Sequence, residues 1–279
     1  MKPKKERYST DPQDGLLAEV VGDWVVNEKH ERLVRYVDAS RFARRMYIEK
    51  SEATFIDLFC GPGRVNIRNS CLFYDGGVVA ACRMAREKGV PYNSVHIGDI
   101  DHEVVDTCAK RLRELGETVT TYYGSAENTV NNVVDRLNSV GLHLAYLDPY
   151  NLDSLPFVIL NRLSNLKRMD MLIHVSVQDL QRNLPMFLES NTSTLDRFAP
   201  DWRNSIKDSS QPNLKMRAAI MEHWLELVRN LGMSPSKASE LVTGPKGQRL
   251  YWLMFASRNE FPEKLWNQVR SITKQGEFF

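Results

Sequence analysis

Four acidic or polar groups are the residues best suited to chemistry, and each stands where an apolar run ends. The first is Asp57, inside Thr54–Phe59, a run that leads into the glycine turn Cys60-Gly61-Pro62-Gly63-Arg64. A carboxylate inside an apolar run needs a partner. Glycines, lacking a Cβ, let the backbone turn tightly and approach a ligand closely. The second is Asp99 with Asp101 after Ser94–Gly98, the third Ser125-Ala126-Glu127 after Val119–Tyr123, the fourth Asp148-Pro149-Tyr150 after His143–Leu147. An acid behind the second strand of such a series is placed to accept hydrogen bonds from ribose hydroxyls. Singly, each is an ordinary turn or helix start, because Asp and Ser are favoured N-caps. Four in register describe a site along one edge of a sheet. Asp57, Asp99 and Asp148 together also leave open a nuclease-like enzyme using a divalent cation.

The elements that must position these residues follow from periodicity. Short apolar runs, among them a fifth at Met171–Val177, alternate with helical stripes such as Val104, Val105, Cys108 and Leu112. That alternation predicts a parallel, doubly wound α/β sheet with helices on both faces, whose ligands bind at the carboxyl ends of the strands. Pro156 fits the first turn of a helix over 155–166. The alternation is then expected to stop in a polar insertion at about 178–212, followed by a helix over 213–231. Ala238–Thr243 and Arg249–Ser257, around Gly244-Pro245-Lys246-Gly247-Gln248, read as a β-hairpin. Residues 1–26 read as irregular and 27–279 as a single domain. Residues 65–75 read as a polar loop, longer than α/β connections usually are.

A helix capped by Asn27 is expected to bury Leu33, Val34, Val37, Phe42 and Met46 and to show a basic face of Lys29, Arg32, Arg35, Arg41, Arg44 and Arg45. That face suits a phosphate backbone, as do Arg64 and Arg182; Lys29, Arg64 and Arg182 are the substrate-binding candidates. At 279 residues and a net charge of +2, the chain neither demands nor excludes nucleic acid. Its four cysteines form no C-x-x-C pair and no histidines stand at ligand spacing, so a reduced cytoplasmic protein without a structural metal is expected. Cys60 reads as a small lining residue, with no nearby base to make it a nucleophile. The basic N-terminus lacks the apolar core of a secretory signal.

Five parallel strands finished by an antiparallel hairpin resemble the class I S-adenosylmethionine-dependent methyltransferase fold, and residues 55–63 are similar to its first motif. The resemblance implies a glycine turn (Gly61, Gly63, with Asp57 and Phe59) against the methionine part of S-adenosylmethionine. It implies Asp99, or Asp101, on the ribose and Ser125-Ala126 beside the adenine. Asp148-Pro149-Tyr150 resembles the Asp-Pro-Pro-Tyr motif of enzymes that methylate exocyclic amino groups of nucleobases, although it has one proline and is followed by Asn151. In that family the Asp and a proline carbonyl orient the amino group and the aromatic ring stacks on a flipped base. A Pro-Cys nucleophile for cytosine-C5 methylation is missing, and the first turn lacks the G-x-G-x-x-G of a nicotinamide enzyme. The turn, the loop before Asp75-Gly76-Gly77, Leu147-Asp148-Pro149-Tyr150-Asn151 and Lys29-His30-Glu31 together resemble the three-Cys-motif partner protein family. That likeness implies a domain working beside a second, metal-cluster-type protein, either as an enzyme or as a cofactor-binding module.

Overall fold

The computed structural model describes residues 7–190, 193–206, 213–236, 240–243 and 249–275. Its centre is a sheet in which β3 (Ala53–Asp57), β6 (Ser94–Asp99), β7 (Val119–Tyr123), β8 (Leu142–Leu147) and β9 (Met169–Val175) run parallel. β12 (Arg249–Ser257) pairs antiparallel with β9, Trp252 opposite Val175 through Ser257 opposite Asp170. β10 (Ser234–Pro235) and β11 (Glu240–Thr243) both pair with the outer edge of β12. The expected hairpin and its antiparallel second strand are therefore present; its turn, residues 244–248, lies outside the described residues. The spatial order β10-β12-β9-β8-β3-β6-β7 puts β3 in the middle of the five parallel strands, with the order reversing beside it.

Strand periodicity builds two cores. On β3, Phe55 faces one side and Ile56 the other, both fully buried. On the Phe55 side, Val95, Leu144, Leu172 and Phe255 meet α1 (Glu31–Ala39), α3 (Gly77–Glu87), α4 (His102–Glu114) and α11 (Glu260–Gln275) through Leu33, Val78, Cys108 and Trp266. On the Ile56 side, Ala145, Met171 and Met254 meet α5 (Ala126–Val134), α6 (Phe157–Leu163), α7 (Val177–Glu189) and α10 (Asn213–Asn230) through Val130, Leu160, Leu184 and Trp224. Each large side chain so buried contributes about 1.5–3 kcal/mol. Sheets covered on both faces need strands without polar alternation, which is why these runs are nearly continuous in apolar residues.

Three readings are corrected. Residues 1–26 were expected to be irregular, yet β1 (Tyr8–Thr10) and β2 (Leu17–Val21) pair antiparallel there. They join β4 (Arg64–Ile67) and β5 (Phe73–Asp75), from the segment read as a loop, in a second, four-stranded sheet. The strands are three to five residues long, and the β2–β4 pairing that joins the two hairpins spans more than forty residues, so local pattern could not reveal the sheet. Second, the early helix is broken. A π-helical turn, Val25–His30, leads into α1, and a fresh helix, α2 (Arg41–Lys50), starts after Ser40. The break resets the phase: Leu33 and Val37 are fully buried, while Phe42 is 64% and Met46 53% exposed. Third, the region read as an insertion begins with the regular helix that follows β9, α7, and continues in α8 (Thr194–Phe198) and α9 (Trp202–Ser205). Leu195, Phe198 and Trp202 bury into the core.

Candidate active site

The glycine turn hangs from the end of β3. Asp57 accepts a hydrogen bond from the Phe59 amide at 2.9 Å, and the Cys60 amide donates to the Gly98 carbonyl at the end of β6. Gly61 (φ +54°) and Gly63 (φ +76°) are left-handed, and a Cβ on Gly63 would sit 3.0 Å from Val79 and 3.1 Å from the Cys108 sulfur. Asp99 joins the turn by accepting from the Gly61 amide at 3.3 Å. Asp57, Phe59, Gly61, Gly63 and Asp99 therefore stand together. Burial raises the Asp57 carboxyl well above its ordinary value, with Asp148 and Asp99 adding like-charge repulsion. The Asp99 carboxyl is raised as well, mainly by burial. Cys60 is also pushed up by burial, as suits a lining residue rather than a nucleophile.

Asp101 and Ser125 have a second occupation. Asp101 caps α4 by accepting from the Glu103 amide, and Ser125 caps α5 by accepting from the Asn128 amide at 3.3 Å. Ala126 follows, buried at the first turn of α5.

Asp148 ends β8 and sits in a denser setting than its sequence suggested. Lys29 Nζ donates to Oδ1 at 2.6 Å, Tyr146 Oη reaches Oδ2 at 3.3 Å, and His174 Nδ1 lies 3.7 Å from Oδ1. Burial alone would raise this carboxyl. Lys29 and the histidines outweigh it and hold the group at about 2. The Lys29 ammonium lies against two adjoining aromatic rings, 4.6 Å from the Tyr251 centroid and 5.1 Å from that of Trp24. Asn151 closes the turn by accepting from Ser154, and the Leu152 amide donates to Asp179 on α7. Pro149 is buried, whereas Tyr150 is 70% exposed with the Arg7 guanidinium 5.4 Å over its ring.

The substrate-binding candidates fare differently. Lys29 is not a surface cation; it is buried against Asp148. Arg64 is spent on Asp11 (2.7 Å), Asp75 (3.0 Å) and Gln13 (3.0 Å), fastening the small sheet. Arg182 is exposed on α7. The basic face dissolves too. Arg44 is buried and donates to the Val90 and Val37 carbonyls, and Arg32 and Arg35 pair with Glu28 and Glu31 one turn back. Nor do Asp57, Asp99 and Asp148 gather as ligands: among the described residues no group of three or more His, Cys, Asp or Glu is set to hold a metal ion.

Sequence reasoning missed the residues that surround the site from elsewhere. Glu19 of β2 lies 3.5 Å from where a Gly61 Cβ would be, and its carboxyl is raised, by withdrawal from water first. Trp24, Tyr251 and His174 converge on Lys29 and Asp148 from the π turn, β12 and β9. Only His174 carried a signal, as an imidazole inside the apolar run 171–177.

No family model matches the chain, and no curated protein matches it in sequence. Solved structures do. Protein LPL1258 from Legionella pneumophila is 10% identical over 88% of this chain and 91% of its own, with a TM-score of 0.50. The cofactor-bound Rv0187 from MTB (10% identity, 83% and 81% covered, TM-score 0.44) and plantazolicin methyltransferase BamL in complex with SAH (9%, 85% and 88%, 0.40) superpose more loosely and carry no argument. At these identities a likeness speaks for the fold alone. The fold is a Rossmann-like α/β sheet, with a parallel series completed by one antiparallel strand.

Proposed function

We propose that the protein is an S-adenosylmethionine-dependent methyltransferase acting on an exocyclic amino group of a nucleic-acid base. One observation carries the reading: Asp148, at the carboxyl end of β8, is held ionised by Lys29 beside the glycine turn and Asp99. A carboxylate offers about four lone-pair sites. Lys29 and the long Tyr146 contact leave capacity for an amino N–H. The residues present suit the cofactor. Gly61 and Gly63 make a cradle without side chains, and Asp57, Asp99 and Glu19 are carboxyls raised first by withdrawal from water. Ribose hydroxyls and a cationic sulfonium are partners that would replace the lost hydration. Gly61, Gly63, Asp57 and Phe59 would hold the methionine part, Asp99 the ribose, and Ser125 and Ala126 would border the adenine.

Bound there, S-adenosylmethionine supplies an electrophilic methyl group. The protein's share is positioning. Asp148 accepts an amino hydrogen and so aims the nitrogen lone pair, buried Pro149 fixes the turn, and the exposed Tyr150 ring offers a stacking face. A nucleic acid is the substrate on this reading, and a three-Cys-motif protein the partner that the sequence resemblance implies. The pairing of Lys29 with Asp148 favours one rival, a cofactor-binding module in which Asp148 serves structure only. Isothermal titration with S-adenosylmethionine, followed by transfer of labelled methyl to nucleic acid, tests the proposal. Binding with transfer is expected; binding without transfer to DNA or RNA leaves the module, and no binding at millimolar cofactor defeats both.

A further inference from the structure

We propose that Lys29 is a positioning residue that keeps Asp148 an anion and fixes which of its oxygens meets the acceptor. The inference rests on the methyltransferase reading above. Asp148 is ringed from every element packed against it. Lys29 and His30 come from the π turn, Glu19 from β2, Asp57 from β3, Tyr146 from β8, His174 from β9 and Tyr251 from β12, with Arg32 of α1 within electrostatic reach of His174 and Tyr251. Near pH 7 none of these but Lys29 and Arg32 carries a positive charge; the histidines lower the Asp148 carboxyl only once they are protonated. Tyr146 and Tyr251 are neutral, and Glu19 and Asp57 are acidic. His174 and His30 are driven by burial to about 3 and about 4, so both are neutral imidazoles near pH 7. Arg32 spends donors on the Glu28 carbonyl and carboxylate. Lys29 is thus the cation hydrogen-bonded to Asp148.

Its placement is more particular than charge balance requires. The ammonium binds Oδ1 at 2.6 Å and rests against the adjoining Trp24 and Tyr251 rings. Oδ2 is left with only the 3.3 Å contact to Tyr146. His174 stands behind Oδ1 with both ring nitrogens unpartnered although the residue is 2% exposed. A protonated Asp148 would present a hydroxyl donor to an amino group that is itself a donor. An ionised Asp148 presents only acceptors. Lys29 therefore keeps both Asp148 oxygens acceptors, so that neither presents a hydroxyl to the amino group, and it acts through Asp148.

The test follows the Asp148 carboxyl by ¹³C NMR as the pH is lowered, in wild type, Lys29→Gln, Lys29→Met and Lys29→Arg. Wild-type Asp148 should stay ionised to the lowest pH at which the fold persists. In the Gln and Met variants its midpoint should rise by roughly 1–3 pH units, the effect of losing an adjacent opposite charge. Arg should restore it. Gln keeps a donor in place and guards against a Met variant that fails to fold. The acidic limb of kcat/KM should move with the carboxyl in Gln and return in Arg. An Asp148 midpoint unchanged in the Gln variant, or an Arg variant that behaves like Gln, would overturn the assignment. If the carboxyl shifts as expected but wild type transfers no methyl, the methyltransferase reading fails and the electrostatic role of Lys29 stands.

Discussion

Asp148 and Asp99 are both carboxylates at strand ends, but their surroundings divide the labour between them. Asp148 is held ionised by a buried ammonium, whereas burial raises Asp99. If Asp148 meets the acceptor, Asp148→Ala abolishes turnover and leaves cofactor affinity within about tenfold, since roughly 1.4 kcal/mol separates decades. Single-turnover assay beside isothermal titration checks this; a variant that turns over like wild type would remove Asp148 from the chemistry. Asp99→Ala should instead cost roughly 1.5–3 kcal/mol of cofactor affinity, the value of a charge-assisted hydrogen bond. Asp99 also accepts from the Gly61 and Asp101 amides. Asp99→Asn, which keeps a side-chain acceptor, should therefore lose less than Ala. At Tyr150, Phe should be mild and Ala should lose about 1–3 kcal/mol of base binding, because stacking needs the ring and not the hydroxyl.

At the scale of elements, the glycine turn is fixed from two sides. α3 and α4 press on Gly63, and Arg111 of α4 reaches across it. Arg111 donates to Asp14 at 2.7 and 2.9 Å and to the carbonyls of Leu17 and Pro62 at 2.6 Å each. One side chain so binds the small sheet, the turn and α4 together. Arg111→Ala should lower unfolding free energy by roughly 1.5–3 kcal/mol or more, as charged hydrogen bonds are lost, and raise hydrogen exchange across residues 11–17. Gly63→Ala should cost about 1–3 kcal/mol, because its left-handed backbone strains any side chain and the new Cβ meets Val79 and Cys108. An alanine there that melts with wild type would mean that the turn repacks freely. Nucleic-acid affinity should be indifferent to Arg35, whose charge is already paired with Glu31.

For the whole molecule, buried imidazoles set a pH dependence. His30, His96 and His174 are pushed by burial to about 4, 4 and 3. A folded value below the unfolded one means that the unfolded chain binds more protons in that interval. Stability is then full above the ordinary histidine value near 6.5 and is lost as pH falls toward 4. Asp170, raised to about 6 by burial, works in the opposite sense: its contribution is present at low pH and fades as pH rises from about 4 through 6. Asp57, Asp99 and Glu19, also raised by burial, act in the same sense as Asp170, so the histidine contribution is read as the difference between wild type and variant in denaturant melts between pH 6.5 and 4. His96→Gln should remove up to about 1.4 kcal/mol per pH unit of that contribution. A slope unchanged by the substitution would mean that His96 is not neutral in the fold. Among the described residues no helix is long and apolar enough to cross a membrane.

The parallel series, the glycine turn and the four signals at strand ends were legible from the chain alone. They are local: a buried strand needs a continuous apolar run, a tight turn needs glycine, and a helix start after a strand favours Asp or Ser. The antiparallel β12 was legible for the same reason, as a long apolar run behind a glycine turn. What the chain could not announce were the contacts between distant segments. Residues 8–10 and 17–21 pair with each other, and 64–67 supply the distant partner that makes them part of a sheet. Lys29, Arg44 and Arg64 looked like a cationic surface because charge in sequence carries no burial. Each is instead spent inside, on Asp148, on the Val37 and Val90 carbonyls, and on Asp11 and Asp75. Only the fold, by bringing a π turn, β8, β9 and β12 to one point, decided that Asp148 is a partly buried carboxylate held by one ammonium that rests against two aromatic rings.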